Sequence, residues 1–156
     1  MSECTEGDII YIAEDDYLHL PNPQKYLTEG LEVSDYATLY DSLDKYQVGA
    51  NPYVRDGGED TKVIITESTH WKYTNATTGT FACKINTLQQ DYDVFSKNCN
   101  QSVCPHPQDF KIFRELIEQR QRKLINSIPG RSAHIGREMS PFVNWRKIAD
   151  EFRTKD

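Results

Sequence analysis

The chain has 156 residues, the length of one domain (residues 1–156), and is long enough to bury a substantial core. Its hydrophobic fraction is low at 37%, but aromatic residues make up 11%, which argues against a disordered chain. The formal net charge of −6 excludes nonspecific nucleic-acid binding, which needs clustered Lys and Arg, and no apolar run reaches the roughly 18–20 residues of a membrane span.

Taken in chain order, Asp8–Ala13 (DIIYIA) predicts a short buried strand, parallel and central because it is apolar on both faces. It stops at Glu14-Asp15-Asp16. Pro21 and Pro23 bracket a turn, and Asn22 is the expected N-cap of a helix over Pro23–Val33. Tyr26, Leu27, Gly30 and Leu31 give that helix one apolar stripe. Asp35–Tyr40 reads as a second strand and Lys62–Thr66 as a third. Between them, residues 41–61 carry Gly49, Pro52, Gly57 and Gly58, a loop of a length that is usually functional or mobile.

His70–Lys84 predicts two strand segments around a Thr-rich turn, and Ile85–Phe95 a short helix before a turn rich in Cys, Asn and Pro. The clearest helix is Pro107–Gln121, where Phe110, Phe113, Leu116 and Ile117 recur at helical spacing. Lys123–Ile128 is a further strand closed by Pro129-Gly130, and Pro141–Phe152 a small amphipathic helix. Strands alternating with helices give an α/β class.

The N-terminus is acidic and has no apolar signal core, so the expected location is cytoplasmic, with Cys4, Cys83, Cys99 and Cys104 as free thiols. A local Cys99–Cys104 disulfide is the alternative, and the spacing does not fit a zinc site. The sequons at Asn75 and Asn100 matter only in a secretory lumen. The basic cluster Arg120–Lys123, with Arg114 nearby, sits at a helix end, where it complements the dipole rather than binding an anion.

Four constellations could carry chemistry. Glu14-Asp15-Asp16 places three carboxylates at the carboxyl end of a strand, where α/β sheets bind ligands and where hard oxygens suit Mg2+ or Mn2+. An acidic solvent-exposed turn would look the same. His134, in Ser132-Ala133-His134, is either an exposed loop histidine or a late ligand that the fold brings to Asp16. Asp109 opens the clearest helix, as an ordinary cap or, beside a reactive centre, as a general base. The stretch from His70-Trp71 through Thr77-Thr78-Gly79-Thr80-Phe81 offers stacking faces and hydroxyls to a sugar, yet its composition equally suits a β-hairpin.

The segment Ile9 through His19, IIYIAEDDYLH, resembles the strand and acidic motif of GT-A-type (family 2-like) glycosyltransferases, in the form carried by a group of bacterial and phage-type members. The likeness continues in order through Asp35–Asp41, Ser68–Trp71, Thr77–Phe81, Pro107–Phe110 and Ile128–His134. It implies a partial GT-A (Rossmann-like) mixed sheet flanked by helices, and transfer of a sugar from a nucleotide-sugar donor to a glycan or other hydroxyl acceptor. Asp16 would coordinate the metal directly, Glu14 and Asp15 would contact the donor ribose or the metal's water, and His134 would be the late metal ligand. Asp109 would be the base of an inverting displacement, with Trp71 and Thr78 to Phe81, Thr80 among them, lining the acceptor side.

The family carries nucleotide-binding strands ahead of the acidic motif, and only thirteen residues precede Glu14 here. The chain therefore reads as the C-terminal catalytic half, with an exposed sheet edge that invites a second copy. Two alternatives stand beside transfer: an inactive remnant that serves as a dimerisation module, and a metal-dependent phosphoesterase using the acids and His134.

Overall fold

The computed structural model describes residues 5–51, 54, 56, 58–99, 108–135 and 143–153, with residues 152 and 153 as backbone only. Expectations about Cys4, Pro52, Gly57, Asn100, Cys104, Pro107, Pro141 and Phe142 fall outside them. The architecture is mixed α/β. Among the described residues, eight strands occur at Ile9–Ile12 (β1), Tyr17–His19 (β2), Tyr36–Thr38 (β3), Val63–Ile65 (β4), His70–Tyr73 (β5), Phe81–Lys84 (β6), Leu124–Ile128 (β7) and Ser132–His134 (β8). Five helices among them occur at Pro23–Leu31 (α1), Ile85–Gln90 (α2), Tyr92–Asn98 (α3), Asp109–Arg120 (α4) and Trp145–Arg153 (α5), and a 3-10 turn spans Leu43–Lys45.

Six strands form one sheet in the order β1-β6-β3-β7-β5-β4, and β2 and β8 form a separate ribbon. Successive side chains of a strand face opposite ways, and here each face has its own core. Tyr36, Phe81, Cys83 and Leu124 pack with Val94, Ile112, Phe113 and Leu116 of α3 and α4. Their immediate neighbours Ala37, Ala82 and Ile125 pack on the other face with Leu27, Leu31 and Trp71. Each fully buried Leu contributes about 1.5–3 kcal/mol, so both helical layers are held largely by hydrophobic burial.

Two features of β1 depart from expectation. It is an edge strand, and it pairs antiparallel with β6 (Ile10 opposite Cys83, Ile12 opposite Phe81). Ile10 and Tyr11 reach the two cores while Ile9 and Ile12 remain exposed. A short apolar run reports only that both faces have something to touch. It does not report how many neighbours the strand has, because hydrogen-bonding partners lie in the sheet plane.

β5 and β6 do not form a hairpin. β5 lies between β4 and β7, whereas β6 lies between β1 and β3. The Thr-rich connection crosses the β3 and β7 positions, so its residues line the sheet's end rather than a tight turn. Asn22 occupies the N-cap position of α1, but with a left-handed backbone (φ 61°) and no capping side-chain bond; Pro23 supplies the preset helical φ. The helix expected over 85–95 breaks at Asp91 into α2 and α3.

That break has a reason. Asp91 is fully buried and accepts hydrogen bonds from Tyr36 Oη (2.6 Å), Arg122 Nε (2.8 Å) and Arg120 Nη1 (3.0 Å). The two arginines of the basic cluster therefore serve a buried carboxylate. Cys83 and Cys99 are free thiols, and burial pushes that of Cys83 up to about 12. Among the described residues, no helix is long and apolar enough to cross a membrane.

Candidate functional site

The site gathers where β1, β3 and β7 present their carboxyl ends. After β1 the chain turns through Glu14-Asp15-Asp16 and immediately enters β2. That strand pairs antiparallel with β8, with Tyr17 opposite His134 and His19 opposite Ser132. The Ile135 amide donates to the Asp16 carbonyl (2.8 Å), and the Arg131 and Ser132 amides both donate to the Leu39 carbonyl (2.7 and 2.9 Å). These bonds sew β8 between the acidic turn and the end of β3. His134 is accordingly a buried strand residue, not the exposed loop histidine its polar neighbours imply.

The register brings His134 Nε2 within 3.1 Å of Asp16 Oδ2. Glu14 joins them, and one ligand atom from each of the three residues lies within 4.8 Å of the others. Asp16 Oδ1 and His134 Nδ1 are enclosed without hydrogen-bond partners among the described residues. Two carboxylates and an imidazole, with unsatisfied polar atoms, form a donor set that fits Mn2+ or Mg2+, the imidazole favouring Mn2+. Asp15 is exposed and does not join the group.

Asp109 arrives from the opposite side, as the first residue of α4. Its carboxylate makes no cap bond. Instead Oδ2 accepts the Gly79 amide at 3.0 Å. Burial pushes the Asp109 carboxyl above its usual range, the Gly79 bond lowers it, and the nearby Glu14 charge raises it further. Gly79 has φ 53° and sits under the Glu14 carboxylate, so one glycine touches both acids.

Tyr17 fills the space between them. Its hydroxyl donates to the Thr78 carbonyl (2.7 Å), and its ring meets those of His134 and Tyr40 edge-on at 5.1 and 5.3 Å. Burial first, then Tyr40, Glu14, Asp16 and Asp109, raise the phenol so that it stays protonated. Sequence reading passed over Tyr17, although its place directly after the acidic triplet was a usable signal.

A cavity of about 770 Å³ opens beside His134, Thr78 and Asp109. Thr78 lines it, whereas Trp71 and Thr80 do not. Trp71 is fully buried under α1, its Nε1 donating to Thr66 Oγ1 (3.0 Å). Thr80 is equally buried, with Oγ1 2.8 Å from the Tyr11 hydroxyl. Both side chains are buried away from the cavity, which a Thr- and aromatic-rich stretch cannot signal by composition.

The far wall comes from Tyr40, just after β3, and from Ser42, Asp44, Lys45 and Asn51 of the long loop. Behind it lies a buried ionic network, in which Lys72 Nζ is 2.9 Å from Glu59 Oε2 and 3.4 Å from Asp41 Oδ1, and Lys45 Nζ is 3.5 Å from Glu59 Oε1. Asn126 and Tyr46 donate to Asp41 (3.0 and 2.7 Å). This network ties Asp41, Lys45, Tyr46 and Glu59 of the loop to β5 and β7. No family model, no curated protein and no solved structure matches the chain.

Proposed function

We propose that the chain acts as a metal-dependent glycosyltransferase. The observation that carries this reading is the convergence of Glu14, Asp16 and His134, from two distant parts of the sequence, opposite Asp109 at the mouth of a cavity. Glu14, Asp16 and His134 hold the metal, and Asp15 faces the donor. The chemistry a metal supplies there is neutralisation of charge on the departing nucleoside diphosphate. Asp109, raised above the usual carboxylate range, takes the proton of the acceptor hydroxyl in a single inverting displacement.

Isothermal titration of UDP and GDP against the chain, with and without Mn2+, tests the reading. Nucleotide binding that requires Mn2+ and disappears in Asp16→Ala is the expected result. No binding of either nucleotide under any condition would sink it.

A second reading, an interaction module that pairs with a copy of itself, draws on the two open sheet edges. β1 exposes Ile9 and Ile12 and β4 exposes Val63 and Ile65. Light scattering at increasing concentration separates it from the first: a monomer at every concentration rules it out.

A further inference from the structure

A planar trans peptide unit sends its carbonyl and its N–H in opposite directions, so two partners can hold one unit from its two ends. The unit that joins Thr78 to Gly79 is held in this way. Its carbonyl, on Thr78, accepts from the Tyr17 hydroxyl at 2.7 Å, and its N–H, on Gly79, donates to Asp109 Oδ2 at 3.0 Å. The partners come from β2 and from the first turn of α4, and the unit lies between β5 and β6.

Neither bond belongs to a helix or a strand ladder. Gly79 is left-handed, with φ 53°, and glycine moves between conformations at little cost. Rotation of the unit about the line joining its two Cα atoms would swing the N–H off Asp109. The Tyr17 bond at the other end opposes that rotation. Donation to a carbonyl also polarises the amide, and hydrogen bonds in series strengthen one another where water is excluded.

Tyr17 is itself well fixed. It is buried, it directly follows Asp16, and its ring meets His134 and Tyr40 edge-on. Burial keeps its phenol protonated, so it remains a donor. One side chain therefore touches the imidazole beside Asp16 and the peptide that holds Asp109.

We infer that Tyr17 is a positioning residue, which orients the Asp109 carboxylate through the Thr78–Gly79 peptide and sets its place relative to Asp16 and His134. The geometry stands without the transfer reading; only the description of Asp109 as a base rests on it. For transfer the consequence lies in kcat, since a misplacement of about 1 Å costs on the order of a hundredfold.

Amide NMR of the whole isotope-labelled chain tests the inference with Tyr17→Phe, which keeps the ring and removes the hydroxyl. The Gly79 amide proton should move upfield and exchange with solvent about twofold to tenfold faster, the effect of one neutral hydrogen bond. Mn2+ titration should be unchanged. Tyr46→Phe, which removes the hydroxyl bonded to Asp41, should leave the Gly79 resonance in place. An unmoved Gly79 resonance in Tyr17→Phe, an equal shift in Tyr46→Phe, or loss of Mn2+ binding in Tyr17→Phe would each overturn the inference. If Tyr17→Phe fails to fold, Asp109→Ala, at the other end of the same peptide, must move the Tyr17 Cζ resonance for the inference to stand.

The two readings fail separately. Absence of Mn2+-dependent nucleotide binding removes transfer and leaves the held peptide. An unmoved Gly79 amide in Tyr17→Phe does the reverse.

Discussion

The carboxylate of Glu14 rests directly on the backbone of Gly79, 65 residues away in the chain, and no side chain could stand at position 79 without displacing it. Gly79 is also left-handed, with φ 53°. Gly79→Ala should therefore act twice. The left-handed backbone costs a non-glycine residue about 1–2 kcal/mol, and the new Cβ must push Glu14 away from Asp16 and His134. An unfolding free energy lowered by that amount in chemical denaturation, together with weakened Mn2+ binding by calorimetry, is expected. Unchanged Mn2+ affinity would show that Glu14 is not a ligand.

Asp109 carries opposite consequences for activity and stability. Its folded carboxyl is raised, so the form that accepts a proton dominates only above that raised value. Transfer should fall as pH drops through it, at a higher pH than an ordinary Asp would give. For stability the sign reverses. The folded state holds the proton more tightly than the unfolded one, so this group's contribution is full below the usual Asp range and is lost as pH rises through the raised value. Asp109→Asn keeps an acceptor for the Gly79 amide and removes the buried charge. It should abolish transfer while raising the melting temperature at neutral pH, and the gain should shrink at acidic pH. A melting temperature lowered at neutral pH would contradict a destabilising Asp109 charge.

Trp71 distinguishes core from acceptor side. It is fully buried against Leu27, Leu31 and Ile125, and its ring lies within 3.0 Å of where a Cβ on Gly30 would stand. Trp71→Ala should cost about 3–5 kcal/mol in chemical denaturation. At a temperature where the variant remains folded, sugar binding should be unchanged, and a selective loss of sugar binding without loss of stability would return Trp71 to the acceptor side.

Asp91 is the other buried carboxylate with a clear role. It ties α2 and α3 to Tyr36 on β3 and to Arg122 beside β7. Asp91→Ala strands the phenol and the Arg122 guanidinium, and should cost about 3–5 kcal/mol, the range for breaking a buried pair. Because this cluster uses neither the acidic turn nor the cavity, Mn2+ affinity at a permissive temperature should not change.

Much of the fold was legible in the sequence because short-range physics writes it there. The helical recurrence of Phe113 and Leu116 marked α4, Pro23 marked the start of α1, and the strand segments read at 35–40, 62–66 and 123–128 match β3, β4 and β7 within a residue or two. The acidic turn, His134 and Asp109 could be nominated individually for their donor atoms. Whether they met was another matter. The antiparallel register of Tyr17 with His134 and the Gly79 bond to Asp109 decided it, and both join residues far apart in the chain. Tertiary structure alone also put β1 at an edge, separated β5 from β6, buried Trp71 and Thr80 away from the cavity, and made part of the long loop one of its walls. Periodicity and turn chemistry act over a few residues, whereas strand partners and the face a side chain finally meets are set by the burial of the whole chain.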